Sequence, residues 1–400
     1  MAINKEQNKL NVPHLRFPEF HGEWEKHGLS EYLDFKNGLN PDSKRFGKGI
    51  KFISVMDILN NPVITYDCIR ASVQATDAEI SSFSVENGDI LFQRSSETLE
   101  DVGRANVYID DKVAVFGGFV IRGKKKANYN PLFFRYLLSS PYARKRIIPM
   151  GAGAQHFNIG QEGLSKVLLN FPSIEEQTKI ASLLHLLDER IATQSKLIED
   201  LKKLKSAIIE IEYTPNNKNT SHIGDVIEQI SKRNKNNTIQ NVLSVSNRQG
   251  FIKQSDQFEN RYVASEDTSN YKIVEQNDFA FNPARINVGS IARLTTFEKG
   301  IVSPMYICFR TRENVAPEYI DFFFESKHFY CEIQKRLEGS VRQCLSFEGL
   351  CNIPFSLPSL EMQQRIGKRL FTLGQKIKTE TDLLELLNKQ KQYLLRQMFI

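Results

Sequence analysis

The chain has 400 residues, of which 40% are hydrophobic, a content that can fill the cores of two globular domains of ordinary size. Its formal net charge of +6 is compatible with a polyanionic partner but does not identify one. No apolar run has the length of a membrane span, the N-terminus has no signal-peptide core, and the five cysteines form no CxxC pair. These features argue against a membrane protein and a disulfide-stapled secreted domain, and they favour a cytoplasmic protein.

The first globular region is predicted at residues 20–171, after an extended N-terminal arm of residues 1–19 in which Pro13 and Pro18 oppose regular structure. Segments rich in β-branched and aromatic residues indicate strands, and an amphipathic pattern broken at Pro141 indicates a helix pair. In chain order, the expected elements are a short helix and turn at 29–41, a strand at 50–58, a turn and strand at 85–96, strands at 113–122, the helix pair at 130–147, and a Gly-rich loop with a short helix and an edge strand at 150–172.

A long helix is predicted at residues 172–214. Apolar residues recur every three or four positions, which creates one seam of the kind that packs against another helix. The seam consists of Ile180, Leu184, Leu187, Ile191, Leu197, Leu201, Leu204, Ile208 and Ile211, with a shift of register near Gln194. Ser173 and Glu176 have the spacing of a capping box at the start of the helix, and Pro215 is expected to stop it.

The second half of the chain repeats the first. A second globular region at 215–357 has the same order of segments, and a second long helix at 358–400 matches the first at an offset of 186 residues without a gap. The matched pairs include Pro172 with Pro358, Ser173 with Ser359, Gln177 with Gln363, Ile180 with Ile366, Asp89 with Asp278, Pro131 with Pro317, Gly163 with Gly349, and Gln155 with Gln343. A repeat of this length indicates a duplicated half-protein and not a solenoid unit. The interiors of the two regions agree poorly, as expected for two readers of different targets on one scaffold.

Charge favours the two long helices lying together. Residues 173–213 hold six Lys or Arg and eight Asp or Glu residues, whereas residues 359–400 hold eight and four. The balances therefore have opposite signs, and each helix would be about 60 Å long at ~1.5 Å per residue. The alternative is two unrelated surface helices on two globular domains. The identical apolar spacing in both copies favours a shared role.

This pattern resembles the specificity subunit of type I restriction–modification systems. The residues that carry the resemblance in the first half are Gly151, Gln155, Gly163, Leu164, Pro172, Ser173, Glu176, Gln177, Ile180, Leu187 and Asp188, with the segment 87–92. In the second half they are Gly339, Gln343, Gly349, Leu350, Pro358, Ser359, Gln363 and Ile366, with the segment 281–293. One departure is Met362, which replaces the second glutamate of the first helix start and weakens the prediction of a second capping box.

The resemblance implies an α+β protein with an internal pseudo-two-fold repeat, in which two similar target-recognition domains are separated by two long antiparallel coiled-coil helices. Each domain would read one half of a split, asymmetric site in double-stranded DNA, and the helices would set the number of unread base pairs. The chain itself would catalyse nothing and hold no cofactor. It would recruit two modification subunits, which use S-adenosylmethionine, and two ATP-driven restriction subunits that also need magnesium.

DNA binding requires cations on phosphates and side chains suited to base edges, of which Arg, Lys, Asn and Gln are the commonest. The candidate DNA-binding residues are Lys44, Arg45, Gln93, Arg94, Ser95, Arg104, Lys124, Lys125, Gln155, Asn282, Arg285, Asn287, Arg293, Arg342 and Gln343. Each has a simpler interpretation. The Asn and Gly residues can shape turns, a Lys run can serve solubility, and Gln155 and Gln343 can hold their loops against the long helices.

Two other classes of function are considered. A stand-alone nuclease or methyltransferase is disfavoured because the Asn-Pro-Ala-Arg segment at 282–285 lacks the second proline and the aromatic ring of an adenine methyltransferase loop. Gly151-Ala152-Gly153 is a lone GxG without a preceding strand, and no phosphate-binding GxxxxGK motif is present. A zinc site at His328, Cys331, Cys344 and Cys351 lacks metal-ligand spacing. The second class, a coiled-coil scaffold for proteins, is distinguished by salt-dependent binding to duplex DNA.

Overall fold

The computed structural model describes residues 11–214, 220–247, 249–257, 267–339 and 343–400. These residues form two compact units. Unit 1 contains the chain up to Ser195 together with Leu383–Ile400, and unit 2 contains Lys196–Asp382. Each long helix therefore contributes one part to each unit. Pro215, the predicted helix stop, and residues 1–10 of the predicted arm lie outside the described residues.

Unit 1 combines short strands with short helices. Its strands are β1 (Glu25–Gly28), β2 (Leu33–Asn37), β3 (Phe46–Ile53), β4 (Ser72–Val73), β5 (Ser84–Val85), β6 (Ile90–Gln93), β7 (Ser95–Ser96), β8 (Ala105–Val107), β9 (Ala114–Phe116), β10 (Val120–Lys125), β11 (Phe157–Asn158) and β12 (Leu168–Phe171). Its helices are α1 (Leu29–Tyr32), α2 (Val55–Asn60), α3 (Asp77–Phe83), α4 (Pro131–Ser139), α5 (Pro141–Ile147) and α6 (Gln161–Ser165), followed by the long helix α7 (Ile174–Tyr213), which continues into unit 2. The helix pair broken at Pro141 is confirmed.

The described strands of unit 1 form two larger sheets and two small ones. One sheet has the antiparallel order β2-β10-β6-β8. The other has the order β4-β3-β9-β5, in which β3 and β9 run parallel. The small sheets pair β1 with β12 and β7 with β11. A hydrophobic core lies between the first sheet and helices α4 and α5, with Phe92, Phe133 and Phe134 fully buried.

Unit 2 contains the remaining described elements. Its strands are β13 (Thr220–His222), β14 (Ile227–Ile230), β15 (Val242–Ser246), β16 (Gly250–Lys253), β17 (Lys272–Glu275), β18 (Phe279–Phe281), β19 (Ile291–Arg293), β20 (Lys299–Val302), β21 (Ile307–Thr311) and β22 (Pro354–Ser356). Its helices are α8 (Ile223–Val226), α9 (Gln254–Gln257), α10 (Pro317–Phe323), α11 (Lys327–Arg336) and α12 (Phe347–Cys351), followed by the long helix α13 (Leu360–Gln397).

Among the described residues, unit 2 repeats the two larger sheets of unit 1 and its β1-β12 pair, whereas the β7-β11 pair has no counterpart. The order β14-β21-β18-β19 corresponds to β2-β10-β6-β8, and β16-β15-β20-β17 corresponds to β4-β3-β9-β5. The single parallel pair of the second sheet recurs as β15 with β20. The β13-β22 pair corresponds to β1-β12. The internal repeat and the α+β fold class are therefore confirmed.

Three sequence-based element predictions need correction. The segment 29–41 forms only one helical turn, α1, before β2, and its counterpart at 223–233 likewise forms α8 before β14. The segment predicted as a strand at 50–58 ends its strand at Ile53, and α2 follows. Asp57 explains this boundary, because its carboxylate accepts hydrogen bonds from the backbone and side chain of Ser54 and so caps α2.

The long helices pair in opposite directions. Within unit 1, Lys391 Nζ lies 2.5 Å from the Asp188 carboxylate, and within unit 2, Arg369 lies 3.5 Å from Glu212. Within unit 1, Ile180 and Leu184, which precede Asp188, share a core with Met398 and Phe399, which follow Lys391, so the two helical segments of this unit are antiparallel. The Ser173 hydroxyl accepts a hydrogen bond from the backbone of Glu176, but the Glu176 carboxylate binds Arg16 and does not complete the predicted capping box.

The predicted apolar seam holds only at the start of α7. Ile180 and Leu184 are buried, whereas Leu197, Leu204 and Ile211 are exposed. In this second stretch the buried residues are Ile198, Ile209 and Tyr213. In this stretch the face towards the core is therefore displaced from the predicted seam, in line with the register shift near Gln194. The drift of about 20° per heptad between a 3.5-residue pattern and a helix of 3.6 residues per turn adds to the displacement.

Matched glutamines attach each long helix to its unit. Gln177 Nε2 donates to the carbonyl of the proline five residues earlier (3.0 Å), and its Oε1 accepts from the backbone N–H of Asn130 (3.1 Å). Gln363 makes the same two bonds in unit 2, at 2.9 Å to its proline and 3.0 Å from Ala316. Within the described residues, no helix is both long and apolar enough to cross a membrane.

Candidate nucleic-acid interface

The loop after β6 carries three of the predicted contacts in unit 1. Gln93 is buried and its side chain donates to the carbonyl of Ser95 at 2.9 Å, so it shapes the loop from below. Arg94 and Ser95 are half-buried and lie at the surface of the loop. The Arg94 guanidinium donates to the carbonyl of Gly118 at 3.3 Å, which joins this loop to the connection between β9 and β10.

A second predicted loop lies directly against the first. Strand β11 pairs with β7, the Ser95 hydroxyl is hydrogen-bonded to Asn158, and the backbone N–H of Ile159 donates to the carbonyl of Arg94 at 2.9 Å. Gln155 lies at the exposed end of this second loop. Residues 93–96 and 152–158, which are separated in sequence, thus form one surface.

Unit 2 places its two predicted loops together in the same way. The backbone N–H of Leu345 donates to the carbonyl of Pro283 at 3.1 Å, which brings the exposed Gln343 next to the loop after β18. Asn282 in that loop is buried and caps it by accepting from the backbone of Ala284 at 3.1 Å. Arg285 is exposed and Asn287 is half-buried, while Arg342 lies outside the described residues.

Arg293 is the predicted contact that is most engaged inside the protein. Its side chain is 7% exposed, and its guanidinium binds Glu318 at 2.5 Å, Asp321 at 3.1 Å and Asn277 at 2.8 Å. With three acceptors already bound, this guanidinium stabilises the contact between β19 and α10. Its prediction as a DNA contact has no geometric support.

Two further predicted cations of unit 1 differ in whether the protein itself already binds their charge. Lys44 is exposed, whereas Arg45 forms an ion pair with Glu79 and donates to the carbonyl of Gln74. The carboxylate of Glu79 has its pKa lowered to about 2, chiefly by its hydrogen bond to Arg45. Arg45 therefore anchors the strand β3 region, and Lys44 is the cation left available beside it.

Three more predicted cations lie at the surface with partners nearby. Arg104 is half-exposed and pairs with Asp101 at 2.6 Å. Lys124 pairs with Glu86 at 2.7 Å, and both side chains are largely exposed. Lys125 lies over the ring of Tyr129, 5.0 Å from its centroid. Exposed pairs of this kind contribute little to stability and can exchange their partner for a phosphate at low cost.

Buried aspartates hold the loop-bearing strands in both units. Asp89 accepts from the backbone N–H groups of Glu86 and Lys125, each at 3.0 Å. Its counterpart Asp278 accepts from the backbone of Glu275 at 2.8 Å and from the Arg310 guanidinium at 3.0 Å. Burial raises the pKa of both carboxyls, although these hydrogen bonds oppose the shift. The structure thus confirms Asp278 as the counterpart of Asp89.

Sequence reasoning missed a cationic recess in unit 2. Lys232, Arg233, Lys235 and Lys299 line an open recess of about 760 Å³, and all four are exposed. Buried Asn234 fixes the loop by hydrogen bonds in both directions with the backbone of Ile239. The available signal was the cationic run in residues 231–237, which follows directly on a segment that matches the opening helix of the first half.

His328, one of the four residues considered for zinc, is engaged elsewhere. His328 Nε2 lies 2.7 Å from the Pro354 carbonyl oxygen and donates to it, so this ring is engaged with β22. Among the described residues, no group of three or more His, Cys, Asp or Glu side chains is placed to hold a metal ion. The cysteines of the described chain are all free thiols, and burial raises the pKa of Cys308 to about 12.

Comparison with known families places both halves of the chain in one group. The model of the family described as Type I restriction modification DNA specificity domain matches residues 21–203 and again residues 215–389. The two matches correspond to the two sequence repeats, and together they cover most of the chain.

Whole-length relatives have the same description. A Methanocaldococcus jannaschii protein assigned as the MjaX specificity subunit of a type I restriction enzyme is 24% identical over 98% of this chain and 94% of its own length. The MjaVIII specificity subunit of the same organism is 20% identical with the same coverage of both chains.

Solved structures show the same fold. The S subunit of a type I restriction–modification system from M. genitalium superposes with a TM-score of 0.61 at 15% identity, over 97% of this chain and 99% of that one. A chain from a structural study of complex assembly in the type I R-M system gives a TM-score of 0.53 at 14% identity, over 93% and 96%.

Proposed function

The chain belongs to the type I restriction–modification DNA specificity family, and on that premise we propose that it selects the DNA sequence on which a type I complex acts. It is a specificity subunit and not an enzyme. The observation that carries the proposal is the duplication of a complete two-sheet unit, each copy of which joins two candidate loops into one surface. Each unit reads one half of a bipartite, asymmetric site.

Base readout within each unit falls to the exposed members of the joined loops. In unit 1 this member is Gln155, with the half-buried Arg94 and Ser95 beside it at the loop surface, and in unit 2 the members are Arg285 and Gln343. Arginine and glutamine present the donor and acceptor geometry that suits guanine and adenine edges. The exposed lysines around them bind phosphates, which positions each unit without specifying sequence.

The long helices set the spacing between the half-sites and bind the modification subunits. Their antiparallel packing fixes a register, so the number of unread base pairs follows from helix length. Large apolar residues are exposed along them, including Leu186, Phe371 and Leu386, and an exposed apolar helix face is typical of a protein contact. Two modification subunits and two restriction subunits are the expected partners, and S-adenosylmethionine, ATP and magnesium are expected on those subunits.

Methylation mapping tests the proposal. The chain is expressed with its modification subunits in a host that lacks other methyltransferases, and modified adenines are sequenced across the genome. We expect one split motif with a fixed gap. Methylation by the purified chain alone would indicate an enzyme instead, and assembly without salt-dependent DNA binding would indicate a protein scaffold.

A four-residue insertion tests the role of the helices. Four residues add about one helical turn. Placed between Gln194 and Ser195, they should lengthen the unread gap while both half-sites keep their sequence. The length-neutral variant Ser195→Ala, at an exposed position, serves as control and should leave the gap unchanged. An unchanged gap in an active insertion variant contradicts the spacer role.

A further inference from the structure

Unit 1 exposes large apolar side chains beside its candidate reading loop. Phe46, Met56 and Phe119 are 43%, 61% and 69% exposed. They line an open recess of about 450 Å³, together with Phe52, Val55 and Leu39 at its base and Asn40 and Ser95 among its polar residues. Apolar side chains clustered at the surface of a domain mark a contact with a partner.

The fold holds Phe119 rigidly outward. Phe119 follows Gly117-Gly118 in the connection between β9 and β10, and the backbone of this connection is tied on two sides. The backbone N–H of Leu39 donates to the carbonyl of Phe116, and that of Arg94 donates to the carbonyl of Phe119, both at 2.9 Å. A Cβ at Gly117 would lie 2.6 Å from the ring of Phe52, so close packing requires glycine there.

The surroundings of the recess are those of a nucleic-acid contact. The Arg94 guanidinium donates to Gly118 next to Phe119, and Ser95 from the same loop lines the recess. Lys44 and Lys48, two residues before and after Phe46, are both exposed. Cations beside exposed aromatic rings complement the charge of a phosphate backbone, whereas an apolar protein partner would not require them.

The same position is apolar in unit 2. Met305 lies 186 residues after Phe119, in the corresponding connection between β20 and β21, and is 57% exposed. The two units differ in most of their loop residues. A large apolar side chain at the same exposed position in both copies therefore indicates a task common to both units, not a local packing accident.

Duplex DNA offers few apolar groups to such a surface. In the major groove, the C5-methyl group of thymine is the apolar feature that distinguishes one base pair from another. Resting on the proposed function, we propose that Phe119 and the recess that it borders with Phe46 and Met56 contact a thymine methyl group in the half-site read by unit 1. Thymine recognition here is by apolar contact, while Arg94 and Ser95 supply polar contacts beside it.

Removal of the methyl group from DNA is the direct test. Once methylation mapping has given the split site, each thymine of both half-sites is replaced singly by deoxyuridine, and the dissociation constant is measured for the full chain assembled with its modification subunits. We expect one position at which deoxyuridine weakens binding about three- to tenfold. In Phe119→Ala, thymine and deoxyuridine at that position should bind equally.

Two matched variants show whether the methyl contact belongs to Phe119. Met305→Ala makes the same kind of truncation in unit 2 and should leave the deoxyuridine effect in the first half-site unchanged. Val113→Ala shortens another exposed apolar side chain of unit 1 and should do the same. If Phe119→Ala weakens the binding of thymine DNA and of deoxyuridine DNA by the same factor, the preference for thymine persists without Phe119. Phe119 then makes no specific contact with the methyl group, and the inference is overturned.

Further outcomes distinguish failure of the thymine contact from failure of the proposed function. Loss of assembly with modification subunits in Phe119→Ala, with no deoxyuridine effect in the parent protein, would assign the surface to a protein and overturn the inference. A first half-site made only of G·C pairs would do so as well. A chain that directs methylation to a split site but shows no deoxyuridine effect retains the proposed function and loses only this inference. Absence of any split site removes both.

Discussion

The two units attach their long helices by the same hydrogen bonds but arrange the neighbouring charges differently. In unit 1, the partly buried carboxylate of Asp188 on α7 accepts from Arg135 at 3.1 Å, from the Tyr136 hydroxyl at 2.9 Å and from Lys391 at 2.5 Å. Burial alone would raise the pKa of Asp188, but Lys391 and Arg135 outweigh it and the pKa is lowered. One anion on the long helix thus joins α4, α7 and α13.

Unit 2 places its acidic groups elsewhere. The position matching Asp188 is Gly374, and the position matching Arg135 is Asp321. Asp321 is paired with Arg293, which occupies the strand register of Val107 in unit 1. Where unit 1 has a buried valine, an arginine and a carboxylate on the long helix, unit 2 has an arginine, an aspartate and a glycine.

The difference between the two units shows which contacts stay the same in both copies of the fold and which contacts vary. Gln177 and Gln363 each satisfy a backbone carbonyl and a backbone N–H that would otherwise be buried without partners, and few side chains can replace an amide that does both. A charge cluster has more solutions, since the opposite charge that a buried ion needs can come from any of several neighbouring elements. The hydrogen-bonded attachment is therefore kept, and the ion pairs have been rearranged.

The largest expected effect concerns Phe399, the aromatic residue that follows α13 and packs in the core of unit 1. Phe399 of unit 1 packs 6.4 Å from Trp24 and 5.6 Å from Phe133, measured between ring centroids. Phe399→Ala should lower the free energy of unfolding of unit 1 by about 3–5 kcal/mol, because it leaves a cavity in the core. Trp24 is the only tryptophan, so its fluorescence in urea follows this unit.

The control for this prediction is Tyr393→Ala, which removes an exposed aromatic side chain from α13, six residues before Phe399. It should change the free energy of unfolding by less than about 0.5 kcal/mol. Equal shifts of the tryptophan transition in the two variants would show that Phe399 does not contribute to the core of unit 1.

The charge cluster of unit 1 gives the next effect. Asp188→Asn should lower the free energy of unfolding by about 2–3 kcal/mol at pH 7, because Lys391 and Arg135 lose their anion. The folded-state pKa of Asp188 is lowered, so its stabilisation is complete above the unfolded pKa of about 3.9 and is lost as pH falls through the folded value.

The gap between wild type and Asp188→Asn should therefore narrow below about pH 4, as followed by Trp24 fluorescence in urea. Glu189→Gln, at an exposed position of the same helix within unit 1, should show neither the loss at pH 7 nor the narrowing. A gap that stays constant down to low pH would mean that the lost stability comes from packing and not from charge.

Sequence reasoning succeeded where the information is local or repeated. The helix pair broken at Pro141 and the long helices follow from periodicity and from proline. The repeat itself follows from the matched residues such as Gln177 and Gln363, whose shared role the structure confirms. The match of Asp89 with Asp278 follows from the turn that precedes each aspartate, in which Gly88 and Asn277 have positive φ.

The sequence alone does not reveal properties that depend on the neighbours of a side chain. Arg293 and an exposed DNA-binding arginine look the same in sequence, and only the carboxylates of α10 show that its charge is already neutralised. The exposed position of Phe119 is equally hidden, because a Phe in a segment of strand residues predicts burial. Both cases depend on contacts between residues that are far apart in the chain.

A smaller and equal effect is expected for the two glutamines. Gln177→Ala and Gln363→Ala should each destabilise the attachment of a long helix by about 1–2 kcal/mol, because each leaves a buried N–H and a buried carbonyl unpaired. The affected amides, Asn130 in unit 1 and Ala316 in unit 2, should exchange their hydrogens about 5- to 30-fold faster.

Peptide-resolved hydrogen exchange measures both sites in one protein. Each variant serves as control for the other, since faster exchange should appear only in the unit that carries the substitution. Clearly unequal effects would show that the two glutamines contribute different free energies despite their matched hydrogen bonds. The equivalence of the two units would then be supported by the order of their sheets alone.

The smallest effect tests the position where unit 2 lacks the carboxylate of unit 1. Gly374 lies inside α13, and a Cβ built there meets no other atom within 4 Å. Gly374→Ala should therefore stabilise unit 2 by about 0.5–1 kcal/mol, because alanine favours the helix.

Gly367 in the same helix is the matched control, since a Cβ built at Gly367 would lie 2.9 Å from the Cβ of Glu318. Hydrogen exchange of α10 in unit 2 should slow about two- to fivefold in the first variant and should not slow in the second. Equal behaviour of the two variants would show that α13 and α10 are not packed as closely as their backbones indicate.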